Sequence, residues 1–127
     1  MIAAAVLLLA TGGSSVDCGR LLQGSTAAVE KALALFESKP GNSGESLIAA
    51  REVLARAHEA RDRLEVAQVS TFCAPSRGEE LVYLNHLTLG FTGWIAARAR
   101  RPPQDYDLAS VIRRARVHRE RGRARLR

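Results

Sequence analysis

SRGEELVYLNHLTLGFTGWIAARAR, residues 76–100, is the stretch on which the reading of the fold turns. It carries Leu81, Val82, Leu84, Leu87, Leu89, Phe91, Ile95 and the chain's one tryptophan, Trp94. At helical spacing, Leu84, Leu87, Phe91, Trp94 and Arg98 follow one stripe. His86, Gly90, Gly93 and Ala97 follow a second stripe of mostly small residues. A helix with two faces to bury belongs inside a bundle, so the other segments are expected to pack around this one. Ser76, just after Pro75 and three residues before Glu79, has the spacing of a capping box and predicts the helix start there. The adjacent Glu79 and Glu80 then read as exposed carboxylates at the positive end of the helix dipole.

Outward toward the N-terminus, two further helices are predicted. After Asp17, Cys18, Leu22, Val29, Leu33 and Phe36 share one face, and Lys39-Pro40-Gly41 ends the segment. Asn42, with Glu45 three residues on, has a second capping-box spacing. From Glu45 to about Ser70, the inward residues are Leu47, Ala50, Val53, Leu54, Ala57, Ala60, Leu64 and Ala67. Glu52–Arg56 and Glu59–Arg63 stand on the outer face in the favourable i to i+4 order. Two helices of similar length joined by a short turn fold back antiparallel. That brings Cys18 and Cys73, the only cysteines, to the same end of the hairpin, where a bridge requires Cα atoms within about 7 Å. Two buried free thiols are the alternative.

Toward the C-terminus, Arg100-Arg101-Pro102-Pro103 stops the central helix. Asp105 or Asp107 then caps a last helix with Leu108, Val111, Ile112 and Ala115 inward. Beyond Ala115 the apolar surface runs out, and residues 122–127 are expected to be a frayed basic tail. The fold class is therefore all-α, a small up-down four-helix bundle over residues 16–121.

Residues 1–15 open with an unbroken apolar run from Ile2 to Ala10, followed by small and polar residues, and resemble a secretory signal peptide. About ten apolar residues are too few to span a bilayer core, which needs roughly twenty. No Lys or Arg precedes the run, which leaves an apolar first helix of a cytosolic bundle as the alternative. Asp17 before Cys18 argues against a lipoprotein site. A signal-like start and paired cysteines together predict an exported protein in an oxidising compartment, periplasmic or secreted, with the cytoplasm as the alternative.

The chain has 127 residues, 46% hydrophobic and 25% charged, an ordinary globular balance for one domain. Its net charge of +6 is uneven: the chain is slightly acidic as far as Ala97, and arginine dominates thereafter. Arg113, Arg114, Arg116, Arg119 and Arg123 form the candidate surface for an anionic partner, a membrane surface or an acidic protein. No aromatic residue follows Tyr106, so a stacking platform for nucleic acid is missing, and export would exclude that partner further.

Catalytic signals are weak. There is no GxSxG, HExxH or paired-Cys motif, and no cofactor or metal is expected. His86, with Tyr83 and Trp94, is the candidate ligand pocket. The competing reading of His86 is a half-buried residue bonded to a neighbouring helix. The glycine stripe is expected to admit the alanine seam of the second helix or a second copy of the chain. The functional expectation is a non-catalytic exported binding module. A cytosolic nucleic-acid-associated protein and a ligand-binding bundle are the alternatives. Oligomeric state is left open.

Overall fold

Apolar residues recur at helical spacing through four segments, and each segment is a helix in the computed structural model, which describes residues 15–127. The helices are α1 (Ser15–Glu37), α2 (Gly44–Val66), α3 (Ala74–Ala99) and α4 (Leu108–Ala124). The signal-like segment lies, apart from Ser15, outside the described residues. Each helix packs on the next, giving an up-down four-helix bundle with α3 in contact with both α2 and α4. None of the helices among the described residues is long and apolar enough to cross a membrane.

The core is built where the apolar stripes meet. Leu22, Val29 and Leu33 of α1 are buried with Ala50, Val53, Ala57 and Leu64 of α2, and with Tyr83, Leu84, Leu87 and Phe91 of α3. The α2 contribution is largely alanine, so α2 approaches closely while adding little side-chain volume. Phe36 meets Phe91 and Trp94 edge to face, at centroid distances of 4.9 and 5.4 Å, and so ties α1 to α3 across the bundle. Cys18 and Cys73 form a disulfide with Cα atoms 5.7 Å apart at the end of the α1–α2 hairpin away from its turn, as the antiparallel reading requires.

The helix starts correct the sequence reading. α3 begins at Ala74, with Cys73 as the cap and Pro75 in the first turn, and Ser76 is buried inside the helix. Proline suits that position because its missing N–H has no intrahelical partner there. At α2 the cap is Ser43, whose Oγ accepts from the Ser46 amide, not Asn42. At α4 it is Asp107, whose Oδ1 accepts from the Ser110 amide.

The expected frayed tail is also corrected. α4 continues through Ala124, Gly122 is buried, and Leu126 packs against the core. A Cβ on Gly122 would lie 2.8 Å from Cβ of Glu79 and 3.0 Å from the Ser76 carbonyl. This glycine is therefore a point of close approach between α4 and the start of α3, where a helix terminator was expected. The small stripe of α3 likewise faces α4 rather than α2. Gly90 lies beneath Val111 and Leu108, and Gly93 lies beneath the ring of Tyr106. A Cβ at Gly90 or Gly93 would come within 2.6 Å of those side chains, so the glycines set how closely α4 and its linker approach.

Candidate functional site

Where the apolar stripe of α4 ends at Ala115, its register continues in arginine, and three arginines reach across to α1. Arg116 donates to both carboxylate oxygens of Glu37, at 2.6 and 3.0 Å. Arg119 donates to Glu30 at 2.8 Å while its guanidinium lies 5.1 Å over the ring of Tyr83. Arg123 donates to Glu80 at 3.0 Å, to Thr26 Oγ1 at 3.1 Å and to Glu30 at 3.3 Å. The order 26, 30, 37 on α1 against 123, 119, 116 on α4 is an antiparallel ladder. Long arginine stems bury their methylenes and carry the charge to the opposite helix, so these side chains close the fourth side of the bundle.

Glu80 is the buried end of that ladder, with no exposed surface. The expectation of an exposed acidic pair is wrong for this residue. Burial pushes its carboxyl above the usual range, against the opposing pull of Arg123 and Thr26. Burial likewise pushes the Tyr83 phenol up to about 12. A signal for Glu80 was present in the sequence, since it stands four residues before Leu84 on the apolar stripe. Thr26, four residues after Leu22, gave the matching signal on α1.

The five arginines predicted as one anionic-partner surface therefore divide. Arg116, Arg119 and Arg123 are held by carboxylates of the chain itself. Arg113 bonds the Ser110 hydroxyl at 2.8 Å, and Arg114 is exposed. Among the described residues Arg98, Arg100, Arg101, Arg113 and Arg114 form no ion pair with a carboxylate. All five lie at or near the end of the bundle where the α3–α4 linker crosses the α1–α2 turn.

At that end Arg98 lies 4.7 Å over the Trp94 ring and donates to the Asn42 carbonyl at 3.1 Å and the Ser43 carbonyl at 3.4 Å. It thereby fastens α3 to the α1–α2 turn through neutral acceptors, and its positive charge is retained. A cavity of about 330 Å³ opens beside it, lined by Trp94, Arg98, Gln104, Asp105 and Tyr106. A second, of about 510 Å³, is lined by Phe36, Trp94, Tyr106, Ile112, Arg113 and Arg116. The two share Trp94 and Tyr106, and their walls carry arginines together with Asp105 in the first and Glu37 and Asp107 in the second.

The predicted pocket of His86, Tyr83 and Trp94 is not assembled. Trp94 lines both cavities, neither of which includes His86 or Tyr83. Tyr83 is fully buried under Arg119. His86 instead faces α4, its ring centroid 5.1 Å from that of His118 with the planes at 45°. His86 Nδ1 is 2.9 Å from the Val82 carbonyl, and His118 Nδ1 is 3.2 Å from Glu79 Oε1. His58 lies on α2 beside Arg61, on an exposed face. Among the described residues no group of three or more His, Cys, Asp or Glu side chains is arranged to hold a metal ion.

The fold and this end surface define a disulfide-braced four-helix bundle with an arginine-rich pole. No family model matches the chain, and neither the curated proteins nor the solved structures contain a match to it.

Proposed function

We propose that the chain is a non-catalytic, exported interaction module that takes an anionic partner at its linker pole. The partner is an anionic surface or an acidic protein, met by Arg98, Arg100, Arg101, Arg113 and Arg114. The observation that carries this reading is the division of the arginines: those of the ladder are tied to carboxylates of the chain, while these five form no salt bridge among the described residues and gather at one end of the bundle. Tyr106, exposed above the buried Trp94, adds apolar surface beside the charge, which suits an acidic segment carrying an apolar residue. Export is supported by the Cys18–Cys73 bridge and by the apolar start of the sequence, and it disfavours nucleic acid as the partner.

The test replaces Arg100, Arg101, Arg113 and Arg114 together by Gln and measures retention on heparin and on vesicles of anionic or neutral lipid. Wild-type retention is expected on the anionic supports alone and to fall as salt rises, because exposed charges are screened within about 10 Å at 0.1 M. Vesicle binding without heparin binding identifies a membrane surface; the reverse identifies an acidic polymer or protein. Retention unchanged in the fourfold variant would overturn the assignment of the pole. Compartment is tested separately, by sequencing the N-terminus of the mature protein.

A further inference from the structure

We propose that His86 and His118 form an exchangeable binding site for a borderline divalent metal ion such as Zn²⁺, on the seam between α3 and α4. A backbone carbonyl only accepts, so the 2.9 Å contact with Val82 makes His86 Nδ1 the donor. The Glu79 carboxylate makes His118 Nδ1 the donor by the same logic, at 3.2 Å. A neutral imidazole carries a single N–H, so in the neutral form of each ring the Nε2 atom is left with its lone pair. Metal-binding histidines have this arrangement, with one ring nitrogen on the metal and the other donating to a carbonyl or carboxylate that fixes the tautomer.

The spacing agrees. A zinc–imidazole bond of about 2.0–2.1 Å puts each ring centre about 3.2 Å from the ion, so two rings at a tetrahedral angle have centres about 5 Å apart. The observed separation is 5.1 Å. The two rings come from different helices, 32 positions apart in sequence, so the arrangement is created by the packing of α4 on α3. The pair is reachable from solvent, with 27% of the His118 side chain exposed. Glu79, at 16%, is a positioning residue that holds His118 and is itself steadied by Arg121 at 3.6 Å.

Two imidazoles leave the remaining coordination positions to water. The site is therefore weaker than a structural zinc centre with its four protein ligands, and it suits capture and release. Imidazole ligation favours zinc, copper and nickel over magnesium or calcium. The inference stands apart from the anionic-partner reading, since it uses a different face, other residues and a ligand of opposite charge.

The experiment uses the untagged, oxidised full chain, stripped with chelator and titrated with Zn²⁺ alone, with binding followed by calorimetry and by the ¹⁵N shifts of the histidine rings. One equivalent is expected to bind, moving the Nε2 signals of His86 and His118 and leaving those of His58 in place. His86→Gln and His118→Gln are each expected to weaken binding by at least about tenfold, with helical content by circular dichroism retained. Glu79→Ala is expected to weaken it by about 10–100-fold and to release the His118 ring from its single tautomer before metal is added. A merely structural role for Glu79 would leave that tautomer unchanged. Undiminished affinity in the double variant His86→Gln/His118→Gln, or absence of saturation at millimolar Zn²⁺, would overturn the proposal.

Discussion

Glu80 and Arg123 meet at the least exposed point of the α1–α4 ladder, and each is defined by what the other supplies. Because burial raises the Glu80 pKa from its ordinary value of 4.5, the folded chain keeps this proton to higher pH than the unfolded chain does. Below both values the two states are equally protonated and the group contributes no difference. As pH rises through the ordinary value, the unfolded state ionises first and folding loses free energy, until the raised folded value is passed. Glu80→Gln lacks this titration. The stability of wild type relative to Glu80→Gln is thus expected to fall as pH rises above the ordinary value of 4.5. Urea unfolding across that range checks it; a difference independent of pH would refute the assignment. Glycine gives a second test at this scale. Gly122→Ala forces a Cβ to 3.0 Å from the Ser76 carbonyl and is expected to destabilise by about 1–3 kcal/mol, more than the helix propensity of alanine returns. Gly24→Ala, with nothing within 4 Å of its new Cβ, is expected to stabilise by up to about 1 kcal/mol. Thermal melts of the two variants should therefore move in opposite directions.

At the scale of the element, α4 has too few apolar residues to pack by hydrophobic burial alone. Leu108, Ile112 and Ala115 anchor its first half. Gly122 and the three ladder arginines anchor its second half, so a truncation after Ala115 would remove a structural seam along with charge. The start of α4 depends on Asp107, which accepts from the amide and the hydroxyl of Ser110. These bonds hold the Asp107 carboxyl below its ordinary range, so the cap contributes above that range and is lost as pH falls through the depressed value. Asp107→Ala is expected to lower the melting temperature at neutral pH, with the difference from wild type shrinking under acid. A melting difference as large in acid as at neutrality would contradict the capping role. The α3 helix was legible almost throughout, since an apolar stripe is a local pattern. Its start was misread because Ser76-x-x-Glu79 satisfies a capping spacing while tertiary packing buries the serine.

At the scale of the molecule, one covalent link closes the end opposite the α1–α2 turn. The Cys18–Cys73 bridge encloses a separation of 55 residues. On the chain-entropy model, a loop of that size stabilises by about 4 kcal/mol, an upper estimate. Cys18→Ser is expected to lower the melting temperature under oxidising conditions and to match reduced wild type when reductant is present. Equal melting of variant and wild type without reductant would show that the bridge is not what braces the hairpin. The disulfide, the α1–α4 ladder and Arg98 on the α1–α2 turn secure different parts of a bundle whose α2 seam is mostly alanine.

Local order determined the four helices and the hairpin, which brings Cys18 and Cys73 to the same end, because periodicity, breakers and loop length act within a few turns of chain. Those features do not depend on which distant side chain arrives. Only the tertiary structure decided that Glu80 is buried, that Gly122 is a packing contact, that three arginines are consumed internally, and that His86 faces His118 instead of Trp94. An arginine or a glutamate reads the same in sequence whether water or an opposite charge solvates it. That choice is made by the helix lying across from it, up to 97 residues away in the contact of Arg123 with Thr26.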